Sequence, residues 1–174
     1  MASVSDDLPG GLTARHPTED DHAQVLAVLD QWWGGFGAAE GAAQRAQLLP
    51  RLFFQHFTDS SWLVEDADGA LRAFLVGFLS PARPDVAYIH FAGVDPALHG
   101  AGIGAALYRR FLAYGVGRGA HTAACITSPG NTASLTFHAR SASPCSPAMH
   151  CWTGSPFTAT TTDPACTGLC SPAR

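Results

Sequence analysis

Apolar positions along the chain follow two periods, and each change of period marks a new element. Leu12 to Arg15 is a short strand candidate. The following Pro17-Thr18-Glu19-Asp20-Asp21 predicts a helix start, with its acids placed favourably against the helix dipole. Val25, Leu26, Val28, Leu29 and Trp32 then recur at helical spacing as far as Gly34-Gly35. A second helical stretch runs from Glu40 to Phe57, with Leu48, Leu49, Leu52, Phe53 and Phe57 on one side and Pro50 as a kink or boundary. After it the pattern shortens to that of strands. Ser61 to Val64 and Ala70 to Leu79 are rich in Trp, Leu, Phe and Val, and Asp66-Ala67-Asp68-Gly69 between them reads as a hairpin turn. Pro81 and Pro84 precede a further strand, Val86 to Val94. A glycine cluster then opens an amphipathic helix carrying Ile103, Leu107, Phe111 and Tyr114. Thr122 to Thr127 is one more strand, and Asn131 to Arg140 one more helix. The order β, α, α, β, β, β, α, β, α predicts an α/β fold in which helices cover a mixed sheet.

Beyond Arg140 the pattern stops. Of the 34 residues from Ser141 to Arg174, 21 are Ser, Thr, Pro or Ala, while Val and Ile are absent and only Asp163 and Arg174 are charged. Such a segment buries too little apolar surface to offset its ordering entropy. The expected organisation is a flexible start over 1–11, one domain over 12–140, and a low-complexity tail over 141–174.

Composition narrows the function classes. The chain has 174 residues, enough for one sizeable core, and a formal net charge of −4, which disfavours nucleic acid as a partner. All ten basic residues are arginine, so a P-loop lysine and a Schiff-base lysine are both excluded. No apolar run approaches the roughly 18 residues of a membrane span, and MASVSDDLPGG lacks the basic and apolar regions of a signal peptide, so the expected location is cytoplasmic. The five cysteines are odd in number and four of them, Cys145, Cys151, Cys166 and Cys170, crowd the end. With His150 they invite a zinc reading, but no C-x-x-C pair exists, and no metal is expected.

The stretch that carries chemistry is Val94-Asp95-Pro96-Ala97-Leu98-His99-Gly100-Ala101-Gly102-Ile103-Gly104. It combines a strand end, a proline turn, and glycines that let backbone N–H groups at a helix start approach an anion. Gly100, Gly102 and Ala105 also satisfy the dinucleotide fingerprint G-x-G-x-x-A. Two features count against that reading: Asp95 to His99 separate the glycines from the strand, and no Asp or Glu occurs between Asp95 and Asp163 to hold a ribose. The acid-free span holds Arg109, Arg110, Arg118 and Arg140, a positive tilt suited to a phosphate-bearing ligand or simply a solvated arginine face.

These residues resemble the GNAT superfamily of acetyl-CoA-dependent N-acetyltransferases. The family's phosphate loop, Q/R-x-x-G-x-G/A after a hydrophobic-acidic-Pro turn, matches His99 to Gly104 except that His99 stands for Gln or Arg. The segment Ser128-Pro129-Gly130-Asn131-Thr132-Ala133-Ser134-Leu135-Thr136-Phe137-His138 is similar to the family's late strand-to-helix segment. The resemblance covers about residues 12–140. It implies a mixed, mostly antiparallel central sheet flanked by helices, and acetyl-CoA as acetyl donor. It further implies that backbone groups of Ala92, Gly93 and Val94 pair with the pantetheine arm. The loop His99, Gly100, Ala101, Gly102, Ile103, Gly104 and Ala105 would hold the pyrophosphate, with Asn131 near the thiol. The expected activity is direct attack by a primary amine of a small molecule or peptide in a ternary complex.

Such attack needs a base, an oxyanion donor and an acid for the leaving thiolate. By analogy the Val94 N–H is the oxyanion donor. His138 stands where the family usually places tyrosine, and it is the candidate acid as well as a cofactor contact; its alternative is packing on the helix. A histidine acid, of pKa about 6.5, predicts activity that falls at high pH. His90 is the first candidate base, with a structural strand histidine as the alternative, and Glu65 is the reserve. Trp32 and Trp33 lie where the family builds its acceptor wall, and they shape an acceptor pocket or pack in the core.

The family requires Leu-Gly-Phe or similar after the last helix and then two closing strands, where this chain has Ser141-Ala142-Ser143. A reading-frame slip accounts for this, because permissible codons shifted by one base after Arg140 spell LGFAVLPGDALLDG. The sheet is then expected to lack its last two strands. The competing functional class is a non-catalytic CoA-binding domain with a damaged acceptor side.

Overall fold

Local rules of strand and helix formation carry over into a computed structural model, which describes residues 8–32, 47–127 and 148–153. In chain order the elements are β1 (Thr13–Arg15), α1 (Asp21–Trp32), α2 (Leu52–His56), β2 (Trp62–Glu65), β3 (Leu71–Leu79), β4 (Val86–Val94), a 3-10 turn (Pro96–Leu98), α3 (Ile103–Val116), β5 (Thr122–Thr127) and β6 (Ala148–Thr153). The strands pair in the order β1-β2-β3-β4-β5-β6. β1–β2 and β2–β3 are antiparallel, while β4–β5 and β5–β6 are parallel. For β3 and β4, bonds from Asp95 N–H to Arg72 C=O (2.8 Å) and from Ser80 N–H to Val86 C=O (2.9 Å) join opposite ends and make this pair antiparallel too.

The sheet is therefore mixed and mostly antiparallel, as expected. The sheet was expected to lack its last two strands; one strand, β6, follows β5 among the described residues and pairs with it from Thr122↔Ala148 to Thr127↔Thr153. Averaging composition over the whole tail hid the short run Ala148-Met149-His150-Cys151-Trp152, which suffices for a strand. The remainder of 141–174, the expected helix over 131–140, and the start of the stretch from Glu40 lie outside the described residues. Pro50 does separate helical Gln47 and Leu48 from α2.

Contacts divide the chain into two units, Met1–Phe78 with Phe91–Phe111, and Leu79–His90 with Leu112–Arg174. In the first, Val25 and Leu29 of α1, Leu49, Phe54 of α2, Leu63 of β2, and Leu71, Phe74 and Val76 of β3 form one buried cluster. Each such side chain contributes about 1.5–3 kcal/mol by leaving water. The start of α1 is closed by Thr18, whose N–H and hydroxyl both donate to Asp21 Oδ2 (2.6 and 2.9 Å), an arrangement of the capping-box kind. The β2–β3 turn is held by Asp66, whose Oδ1 accepts from the N–H groups of Asp68 (3.0 Å) and Ala70 (2.9 Å), with Gly69 at φ +76°.

In the second unit, α3 ends in a Schellman motif: Ala120 N–H reaches Gly115 C=O (2.9 Å), Gly119 N–H reaches Val116 C=O (3.0 Å), and Gly119 takes φ +89°. A Cβ on Gly115 would lie 3.1 Å from Ala87 Cβ, so the missing side chain is what lets the end of the helix lie close to β4. His121 and Thr122 N–H groups then both donate to Asp85 C=O at 3.0 Å, starting β5 beside β4.

Candidate functional site

β4 delivers the chain to the site. Its Phe91 ring stacks on Phe74 (6.1 Å, 11°), and Trp32 stacks on the same ring (6.0 Å, 14°). Gly93 faces this stack: a Cβ there would come within 2.7 Å of Phe74 Cε1 and 3.4 Å of Trp32 Cζ3, so the strand passes at all only because the residue is glycine. Strand alternation puts Ala92 and Val94 on the other face.

After Val94 the loop is built from backbone bonds. Asp95 caps the 3-10 turn, its Oδ1 accepting from Ala97 N–H at 2.9 Å, and Pro96 suits the first position because its missing N–H has no partner to lose. Asp95 Oδ2 accepts from Arg72 Nη1 at 2.8 Å, and Arg72 Nε donates to Asp66 Oδ2, also at 2.8 Å. The carboxyl of Asp95 is held below its ordinary range, first by the Ala97 N–H and then by Arg72, so it is ionised at neutral pH. His99 turns back to the strand end, its Nε2 lying 3.1 Å from Val94 C=O. Since a carbonyl can only accept, Nε2 carries the proton.

Gly100 and Gly102 have φ +83° and +84°, and a Cβ on either would meet nothing within 4 Å. Glycine is needed there for conformation, not for space. The chain then enters α3, 14 residues long, whose first i→i−4 bond of the loop side runs from Ala106 N–H to Gly102 C=O. The N–H groups of Ile103, Gly104 and Ala105 precede that bond and lie at the positive end of the helix dipole. This donor set fits a pyrophosphate: an N-terminal helix turn reached through two left-handed glycines, in a stretch of sequence with no acid after Asp95 until Asp163.

The other sequence candidates are distributed as follows. His90 sits half-buried on β4. Glu65 is at the end of β2 with both oxygens on Arg15, at 2.6 and 3.0 Å, and Arg15 also holds Asp21 bidentately. Trp32 is packed in the aromatic stack, while Trp33, Asn131 and His138 lie outside the described residues. Sequence reasoning passed over Arg72; its position one residue into the strand that follows the Asp66 turn was the available signal. Among the described residues there is no group of three His, Cys, Asp or Glu side chains placed to hold a metal, and no helix is long and apolar enough to cross a membrane.

The chain matches the Acetyltransferase (GNAT) family over residues 25–142, a span that contains the whole glycine loop. It is 31% identical over 77 residues to an L-2,4-diaminobutyric acid acetyltransferase of Nocardia farcinica, an alignment covering 44% of this chain and 40% of that protein. Among solved structures it resembles diaminobutyrate acetyltransferase EctA from Paenibacillus lautus, in complex with its substrate and coenzyme A, at TM-score 0.59 and 19% identity over 74% of this chain and 73% of that one. It also resembles Ard1 from Thermoplasma volcanium at TM-score 0.61 and 19% identity, over 76% and 82% of the two chains.

Proposed function

Because the chain belongs to the acetyltransferase (GNAT) family, we propose that it transfers the acetyl group of acetyl-CoA to a primary amine of a small molecule by direct attack in a ternary complex. The observation that carries this reading is the loop: left-handed Gly100 and Gly102 leading into the unpaired N–H groups of α3. In the reaction, the amine nitrogen attacks the thioester carbonyl carbon, the C–S bond breaks, and the thiolate takes a proton. The backbone at Ala92, Gly93 and Val94 lines the pantetheine arm, and the Val94 N–H faces the developing oxyanion. His90 serves as base in preference to Glu65, whose carboxylate is committed to Arg15. His138 protonates the leaving thiolate, Asn131 contacts the donor near its thiol, and the protein works in the cytoplasm. The small diamino acid named for the Nocardia farcinica relative makes L-2,4-diaminobutyrate the first acceptor to try.

The first experiment is a thermal shift with acetyl-CoA. At a hundredfold excess over Kd a single site adds about 2.7 kcal/mol, or roughly 5–10 °C for a chain of this size. Turnover with added amines then separates the proposal from a second reading, a non-catalytic CoA-binding domain. That second reading is favoured by the change of composition after Arg140, two residues before the family match ends. No shift with acetyl-CoA would overturn both, while a shift without turnover across a panel of primary amines would leave the second. In an active protein His138→Phe should abolish the fall in rate above pH about 6.5, and an unchanged pH profile would remove His138 from the mechanism.

A further inference from the structure

Asp95 presents an electrostatic difficulty at the mouth of the loop. Its carboxylate is needed to accept the Ala97 N–H at 2.9 Å and so to shape the turn into the glycines. The same negative charge, five residues before the first glycine of the loop that cradles the phosphates, opposes a second anion arriving there. Packing does not hold the turn in place either: Ala97, Leu98 and Ala101 line an open cavity of about 450 Å³, shared with Pro9, Leu12 and Arg72.

We infer that Arg72 is a positioning residue for the phosphate loop, the counter-ion that lets Asp95 cap the turn without repelling the pyrophosphate of acetyl-CoA. The inference rests on the proposed function above. Three bonds suit Arg72 to the task. Its Nη1 meets Asp95 Oδ2 at 2.8 Å, its Nε meets Asp66 Oδ2 at 2.8 Å, and its backbone C=O accepts the Asp95 N–H at 2.8 Å. The turn of the β2–β3 hairpin thereby fixes the guanidinium, and the guanidinium fixes and neutralises the cap. Its side chain remains 36% exposed against 14% for that of Asp95, so the charge it compensates is the more buried of the two.

The test is acetyl-CoA affinity measured by calorimetry on the full chain and four variants. Arg72→Met leaves Asp95 charged and uncompensated, and it should weaken binding about tenfold, which is about 1.4 kcal/mol. Asp95→Asn keeps an oxygen for the Ala97 N–H and removes the charge, so it should bind within threefold of the parent. The double variant Arg72→Met with Asp95→Asn should recover to within threefold as well, and Arg72→Lys should keep most of the affinity. A purely structural role for Arg72 predicts no such rescue. Binding by Arg72→Met within twofold of the parent, or a loss that Asp95→Asn does not relieve, would overturn the inference. If Arg72→Met does not fold, Asp95→Asn alone decides: a loss beyond tenfold overturns it, and retained affinity supports it. A parent chain that does not bind acetyl-CoA counts against the function reading, whereas a parent that binds and variants that fail the pattern count against Arg72.

Discussion

The two units of the chain are held by different kinds of interaction. In the first, arginines gather carboxylates from separate elements: Arg15 joins β1 to Asp21 at the start of α1 and to Glu65 of β2, and Arg72 joins Asp66 to Asp95. Among the described residues of the second, the joins shown are made by backbone groups and small residues, through the Gly119 cap, the Gly115–Ala87 approach and the paired donors on Asp85. The titration behaviour follows the same division. Arg15 pulls Asp21 from its ordinary 3.8 down to about 2, and Asp66 is lowered by the Ala70 N–H and then by Arg72, whereas in the second unit burial raises the Tyr88 phenol. The first unit carries the glycine loop, and its charges set loop geometry; the second supplies parallel strand pairing that asks little of side chains.

The first unit is most vulnerable where it depends on apolar packing as well as charge. Phe74 is fully buried and stacked between Trp32 and Phe91, so Phe74→Ala should cost about 3–5 kcal/mol, read by urea unfolding. A loss below 1 kcal/mol would mean that charge pairing, not the aromatic stack, holds β3 and β4 of that unit. Next in size is Asp21→Asn. Because the folded pKa lies below the unfolded one, the ionised carboxylate stabilises the fold above pH about 4, and that contribution disappears as the pH falls towards about 2. The variant should lose about 1–2 kcal/mol at pH 7, discounted for the partial exposure of Arg15, and its stability should fall less steeply between pH 4 and 2 than that of the parent. Equal slopes would place the acid sensitivity elsewhere.

What the sequence disclosed follows from the range of the interactions concerned. β4, β5 and α3 were legible because strand alternation, flanking prolines and the glycine opening are local, and the hairpin turn at Asp66 to Gly69 was legible for the same reason. Gly100 and Gly102 were legible as an anion-approaching glycine cluster, and the fold adds the reason, φ +83° and +84°, a left-handed backbone that favours glycine. β6 was missed because a tail composition conceals six residues that need only a neighbouring strand edge to pair with. Arg15 and Arg72 were passed over because, although Asp21 and Asp66 lie six residues away, their second partners, Glu65 and Asp95, lie 50 and 23 residues away and carry no local signal. For Glu65 this mattered most: in sequence it read as a reserve base, whereas the fold sets it against Arg15.

The smaller effects sharpen the contrast between the units. Gly119→Ala forces a side chain into φ +89°, so it should cost about 1 kcal/mol, and its hydrogen-exchange signature should be confined to the end of α3 and to β5. The smallest effect belongs to a charge pair of the first unit. Arg51 Nε meets Glu19 Oε1 at 2.8 Å, but the two side chains are 58% and 46% exposed, and Gln55 donates to the same oxygen at 2.8 Å. Water screens this pair and Gln55 survives its loss, so Arg51→Ala should change stability least of these variants, well below the effect of Asp21→Asn. Raising the salt concentration should shrink that small effect further, and should erode the contribution of Asp21 less than that of this exposed pair. If Arg51→Ala instead cost as much as Asp21→Asn, the number of elements an arginine joins would not be what distinguishes it, and the first unit would be held by charge in general, not by Arg15 and Arg72 in particular.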